Sequence, residues 1–191
     1  MKSILFNRQS PELQQIRTLI ENQNHRTLVL WVIDCAPRVL SIFEQRYPDD
    51  KRPRQALDAT IKWSKGEIKM PEAKRAALAS HQAAASVSHD LAACAAAHAM
   101  GHVLGTVHVE THAIGLLMYG LTAFVRQQNG AMNEDDISKE IKWYVDRLKF
   151  WEVNESKTDR NWASFLLKDH MPNKEKLLRE KENLKSSILK A

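Results

Sequence analysis

Residues Ala76–Val125 read AALASHQAAASVSHDLAACAAAHAMGHVLGTVHVETHAIGLLMYGLTAFV. Fifty residues pass without a lysine or arginine, and Asp90 and Glu110 are the stretch's only acids. Charged side chains are seldom taken out of water, so their absence over this length predicts a buried segment. Alanine is the strongest intrinsic helix former, and it recurs at Ala76, Ala77, Ala83 to Ala85 and Ala95 to Ala97. The stretch therefore predicts buried helices around which the remaining chain wraps. Ser86-Val87-Ser88-His89-Asp90 breaks the alanine rhythm, with Ser88 or Asp90 placed to cap a new helix. Gly101 and Gly105 share a face that admits a close neighbour, and Thr106 marks a bend. A long helix is expected to resume at about His108 and run to Gln128, closed by Asn129-Gly130.

Working outward toward the N-terminus, Leu28–Ile33 reads LVLWVI, which taken alone suits a buried strand as well as a helix. Leu28, Val32, Cys35, Val39 and Phe43 continue one face at helical spacing, so a helix of about 18 residues is expected, kinked where Pro37 lacks a backbone donor. Ser10-Pro11-Glu12 is a helix start, followed by an apolar stripe of Leu13, Ile16, Leu19 and Ile20. Pro53 and Pro71 open two further helices. Toward the C-terminus, Asn133 caps a helix with Glu134, Asp135 and Asp136 in its first turn. Pro172-Asn173 begins a last helix ending near Lys190. No strand pattern competes. The expected fold is all-α, a bundle of about seven or eight helices around a central Ala/His-rich core, in a single domain spanning 1–191. Segment 171–191 is expected as a peripheral helix. Its seam of Leu177, Leu184 and Ile188 is too narrow to hold a helix of this length alone in water. It is expected to dock on a second copy, giving a homodimer, or on the bundle edge near Trp151 and Trp162.

Several function classes lack their chemistry. There is no G-x-S-x-G, no phosphate-binding GK[ST] and no HExxH. Cys35 and Cys94 are far apart and form no CxxC, which predicts buried thiols in a reducing compartment. The opening MKSILFNRQS lacks the apolar run of a signal peptide, so a cytoplasmic location is expected. Histidines interrupt Leu91–Val125, and a bilayer span needs about 20 strongly apolar residues, so no membrane insertion is expected. Lys51–Arg75 holds eight basic residues against Asp58, Glu67 and Glu72, a surplus equal to the chain's formal net charge of +5. No nucleic-acid-binding module accompanies it, so a solvated face is expected rather than a nucleic-acid partner. Arg52 and Arg54 flank Pro53 at a helix start, where they are expected to clamp carboxylates such as Asp49, Asp50 or Asp58.

Six of the eight histidines, His81, His89, His98, His102, His108 and His112, fall within the charge-poor stretch. His98 and His102 are four apart, as are His108 and His112, so each pair is expected on one helical face. All four are expected to be largely buried. Buried imidazoles need partners, which gives them a structural or partner-binding role. The alternative is a His-rich helical-bundle metalloprotein or metal-dependent enzyme, with His98, His102, His108 and His112 joined by Glu110 or Asp34 around zinc or another divalent ion. No cofactor is expected from any motif.

The order RPRQAL (Arg52 to Leu57), IKWSKGEI (Ile61 to Ile68), alanine-rich helices, GHVLGTVHVETHAIG (Gly101 to Gly115) and Tyr119 resembles a bacterial family of putative immunity proteins, similar to those of polymorphic toxin systems. The resemblance spans about Trp31 to Phe124. Its most specific parts are the RPR, the Trp63 and Gly66 pair, and the string of Thr106, His108, Val109, His112 and Ala113. It implies an all-α, non-enzymatic protein that neutralises a cognate toxin by protein contact. Arg52, Arg54, Trp63, His98, His102, His108 and His112 are the resulting candidates for partner or ligand binding. Pro37 and the charged tail after Glu155 depart from the family pattern.

Overall fold

A computed structural model describes residues 4–129, 131–168 and 171–188. Among these are eight α-helices and no strand: α1 (Gln14–Glu21), α2 (His25–Arg46), α3 (Arg52–Ser64), α4 (Met70–Ser86), α5 (Leu91–His108), α6 (Ala113–Gln127), α7 (Glu134–Asn154) and α8 (Lys174–Ile188). None is long and apolar enough to cross a membrane. The all-α bundle expected from the sequence is the observed fold.

α5 lies at the centre, packed by α6, α2, α4 and α3. Its alanines Ala92, Ala93, Ala95, Ala96, Ala97 and Ala99 are all buried, and their small side chains let neighbouring helices approach. Ser80 on α4 donates to the Ala97 carbonyl across that contact at 2.7 Å. Asp90 caps α5 by accepting the Ala93 amide at 3.2 Å. The LVLWVI run is helical, within α2. It is apolar throughout because that end of α2 is buried from Thr27 to Val32, with α5, α6, α7 and α3 around the helix. Trp31 in it donates to the Tyr144 carbonyl of α7 at 3.0 Å. α2 continues through Pro37 to Arg46 and is longer than expected, with 22 residues. Asn133 forms the predicted cap of α7, completed by Asp136 into a capping box. Ser10 caps no helix; its hydroxyl accepts from the Asn7 amide instead. At the end of α6, Asn129 adopts φ 53°. Gly130 lies outside the described residues.

One element differs in a way that moves the site. The expected long helix from His108 to Gln128 is broken. α5 ends at His108, Val109 is extended (φ −155°, ψ 136°), and Glu110–His112 form a single 3₁₀ turn before α6 begins. The β-branched Thr106, Val107, Val109 and Thr111 are poor helix formers, and the Thr106 hydroxyl bonds back to the His102 carbonyl at 3.0 Å. His108 and His112 therefore do not share a helical face.

α8 docks on the molecule itself, against α1 and the 110–112 turn rather than near Trp151 and Trp162. Its orientation is also inverted. Glu175, fully buried, accepts from Arg17 at 2.9 Å and Arg8 at 3.3 Å. Arg17 Nη2 reaches Glu182, and Arg179 reaches Glu21. The expected apolar seam faces outward, with Leu184 62% exposed; the side chain of Ile188 and the end near Lys190 lie outside the described residues. The buried Arg17, with the half-buried Arg8 beside it, outweighs a two-leucine seam, because a guanidinium away from water needs a carboxylate. Glu175→Ala is accordingly expected to release α8. Proteolysis should then remove 171–188 while the remaining helices keep their circular dichroism. An α8 as protease-resistant as in the parent protein would contradict this.

Candidate functional site

The histidines gather into two places. Four rings, His81 from α4, His98 and His102 from α5, and His112 from the 3₁₀ turn, form one array. His81 Nδ1 lies 2.9 Å from His98 Nδ1, and His102 Nδ1 lies 3.1 Å from His112 Nδ1. Each contact needs one protonated and one bare Nδ1, so the rings of a pair are opposite tautomers. Tyr119 of α6 joins the pairs, its ring centroid 5.2 Å from His98 and 5.0 Å from His102. His81 also meets His102 edge-on at 5.8 Å.

Glycine makes room for this array. A Cβ at Gly101 would sit 2.5 Å from the tip of the His81 ring, one at Gly105 would sit 2.7 Å from His112 Cγ, and one at Gly115 would fall within 3.0 Å of His102 Cβ, Cγ and Nδ1. Gly101 and Gly105 thus admit imidazole rings, not merely another helix backbone.

The array is held neutral. Burial lowers the pKa of His81, and burial together with His81 lowers that of His98. For His102, burial, then the neighbouring His112, His81 and His98, and finally Arg8, bring it to about 3. Burial and then Arg8 lower His112. Arg8 is fixed nearby, donating to the Thr111 carbonyl at 2.5 Å. A cationic imidazole here would lose solvation and face other positive groups, so the bare base is favoured.

His108 stands apart and is exposed rather than buried; His98, His102 and His112 are half-buried. The His108 ring stacks on Trp63 of α3 with centroids 6.2 Å apart and planes 14° from parallel. This stacked pair divides a surface groove into two lobes. The larger, about 580 Å³, runs between Trp63, Ile68, Met70 and the wall of Trp162 and Phe165. The smaller, about 280 Å³, is floored by Gly101 and Gly105, walled by Ala73, Ala77 and Leu78, and reaches His81 and His112. Met70, Leu78 and Phe165 at its margins are all exposed. Trp63 itself is nearly buried and also packs on Phe165 at 5.8 Å. The 162–166 wall is tied down by the Ala163 amide, which donates to the Ser64 carbonyl at 2.9 Å.

The remaining candidates lie elsewhere. Arg52 clamps Asp50 in two-pronged fashion (2.9 and 2.6 Å). Arg54 does the same to Glu44 (2.8 and 2.6 Å), not to the Asp49 or Asp58 expected. Asp34 accepts from Arg147 and Trp151, and Glu110 faces His25 at 3.7 Å. Neither carboxylate joins the histidine array. Among the described residues no group of three or more His, Cys, Asp or Glu side chains is arranged to hold a metal ion. His81, Trp162 and Phe165 are not among the site candidates that the sequence offers. The one signal available for His81 was the glycine at 101, but pairing them requires knowing how α4 crosses α5.

A family model described as Imm-5 like putative immunity protein matches residues 18–150. The chain belongs to that family. No curated protein and no solved structure matches it. The Imm-5 like match takes in the helices from α1 into α7, and with them the whole histidine array and the Trp63–His108 pair. It stops short of Trp162, Phe165 and α8, so one wall of the groove lies beyond the part shared with the family.

Proposed function

We propose that the protein is an immunity protein that neutralises a cognate bacterial toxin by direct protein contact, in the cytoplasm of the cell that makes the toxin, without catalytic turnover. Membership of the immunity family supports the class. The observation that carries the contact is the groove around Trp63 and His108. Contiguous exposed apolar surface on a folded protein marks an interaction site, and aromatic side chains seated beside a pocket are the common anchors of protein interfaces. The histidine array serves this surface from behind, since His81 and His112 close the inner end of the small lobe and are themselves fixed by ring-to-ring bonds.

The test is growth rescue. A toxin domain encoded beside this gene is expected to arrest cells when expressed alone, and co-expression of this protein is expected to restore growth and yield a purified complex. Failure to rescue cells from any toxin domain encoded at its locus would contradict the reading.

A further inference from the structure

We propose that the groove accepts an acidic segment of the partner, anchored by one bulky apolar side chain. The proposal rests on the immunity reading above and adds the chemistry of the contact. Three lysines stand along the groove, Lys65 and Lys69 at the larger lobe and Lys74 at the smaller. Among the described residues Lys69 and Lys74 form no ion pair, and Lys65 meets only Glu67, at 3.8 Å on the surface. Behind the wall, the Arg160 guanidinium lies 4.5 Å from the Trp162 ring centroid and donates to the Ser64 hydroxyl, while its Nε has no partner. Burial lowers the Arg160 pKa, and the charge of Glu67 offsets this only in part. An apolar slot rimmed by lysines, of which Lys69 and Lys74 form no ion pair among the described residues, is complementary to carboxylates set around a leucine or aromatic side chain.

The same charge argues against two other occupants. A second copy would bring one basic rim against another in a chain whose formal net charge is already +5, which repels. Nucleic acid draws its affinity from many phosphate contacts, whereas this groove offers few cations, and its inner lobe is aliphatic and floored by glycine. Trp162, Phe165 and Arg160 all lie past residue 150, where the family match ends. The wall that they build therefore gives this chain a means of selecting its own partner on a shared scaffold.

The test uses the full chain and a short fluorescein-labelled peptide with one phenylalanine flanked by glutamates, read by anisotropy. Binding is expected, with loss when lysines replace the glutamates or alanine replaces the phenylalanine. The double variant Lys69→Glu, Lys74→Glu is expected to weaken it about tenfold or more, because two attractions become repulsions. Both positions are exposed, so the fold is not disturbed. Equal binding of the lysine peptide, or tighter binding of single-stranded oligothymidine, would overturn the proposal. The same variant in the growth assay separates the two claims. If both proteins rescue growth equally, the acidic-segment proposal fails and the immunity reading stands. If neither protects but the peptide binds with the expected charge dependence, the immunity reading fails and the groove chemistry stands.

Discussion

Gly115→Ala is expected to lower stability by about 1–2 kcal/mol, although it replaces glycine by alanine within a helix. On propensity alone that exchange should help by about 1 kcal/mol. The opposite sign follows from the position of His102, whose Cβ and Cγ would lie within 3.0 Å of the new methyl group. Those atoms are rooted close to the α5 backbone and cannot swing aside. The ring beyond them is held by its bond to His112 and its stacking on Tyr119. Overpacking of a close-packed interior costs about 1–3 kcal/mol and occasionally more, which exceeds the propensity gain. At about 2–4 °C per kcal/mol for a chain of this size, the melting temperature should fall by about 2–8 °C. Adding His102→Ala should recover much of the loss. Gly101→Ala should be milder, since the new group meets only the outer end of the His81 ring, which can shift at the cost of its contact with His98. A Gly115→Ala protein that melts at or above the parent temperature would contradict the packing described.

Acid should destabilise the protein well above the carboxylate range. In the unfolded chain each histidine protonates near pH 6.5, while in the fold burial and like charge hold His81, His98, His102 and His112 below that value. The unfolded state then binds more protons, so stability is full well above pH 6.5 and falls as pH drops toward the folded values. For His102, lowered to about 3, the loss is about 2 kcal/mol by pH 5 at about 1.4 kcal/mol per pH unit. The other three act in the same direction. Carboxylates paired with arginine, such as Glu44, Asp50 and Asp90, are also lowered, but their contribution is lost only below their unfolded values near pH 4. Urea titrations at pH 8, 6.5 and 5 should show a smaller drop of the midpoint over the first interval, where unfolded histidines begin to protonate, and a larger one over the second. His102→Asn, which cannot titrate, should reduce the drop. A midpoint unchanged to pH 5 would contradict a neutral array.

The helical core was legible because its signals are local. The charge-poor alanine stretch, Asp90 and Asn133 as caps, and the face of Leu28, Val32, Cys35, Val39 and Phe43 all depend on neighbours within a few residues. The site depended on contacts that no local pattern records. His98 and His102 do share a face, but the break at Val109 sends His112 back to His102 and leaves His108 on Trp63, so equal spacing in sequence gave two different environments. His81 enters from another helix, opposite a glycine whose role is visible only once the ring is in place. The docked face of α8 is not legible in its apolar periodicity, because Glu175 is held by the buried Arg17, 158 residues away in the chain.

The groove at Trp63 and His108 is proposed as the face that meets the toxin. Hydrogen–deuterium exchange of the protein alone and in complex with any toxin domain whose growth arrest it relieves addresses this most directly. Protection is expected to concentrate in residues 63–78, 101–112 and 162–166, with Lys69→Glu, Lys74→Glu diminishing it. Protection confined to the outer faces of α7 or α8, with the groove exchanging as in the free protein, would contradict it.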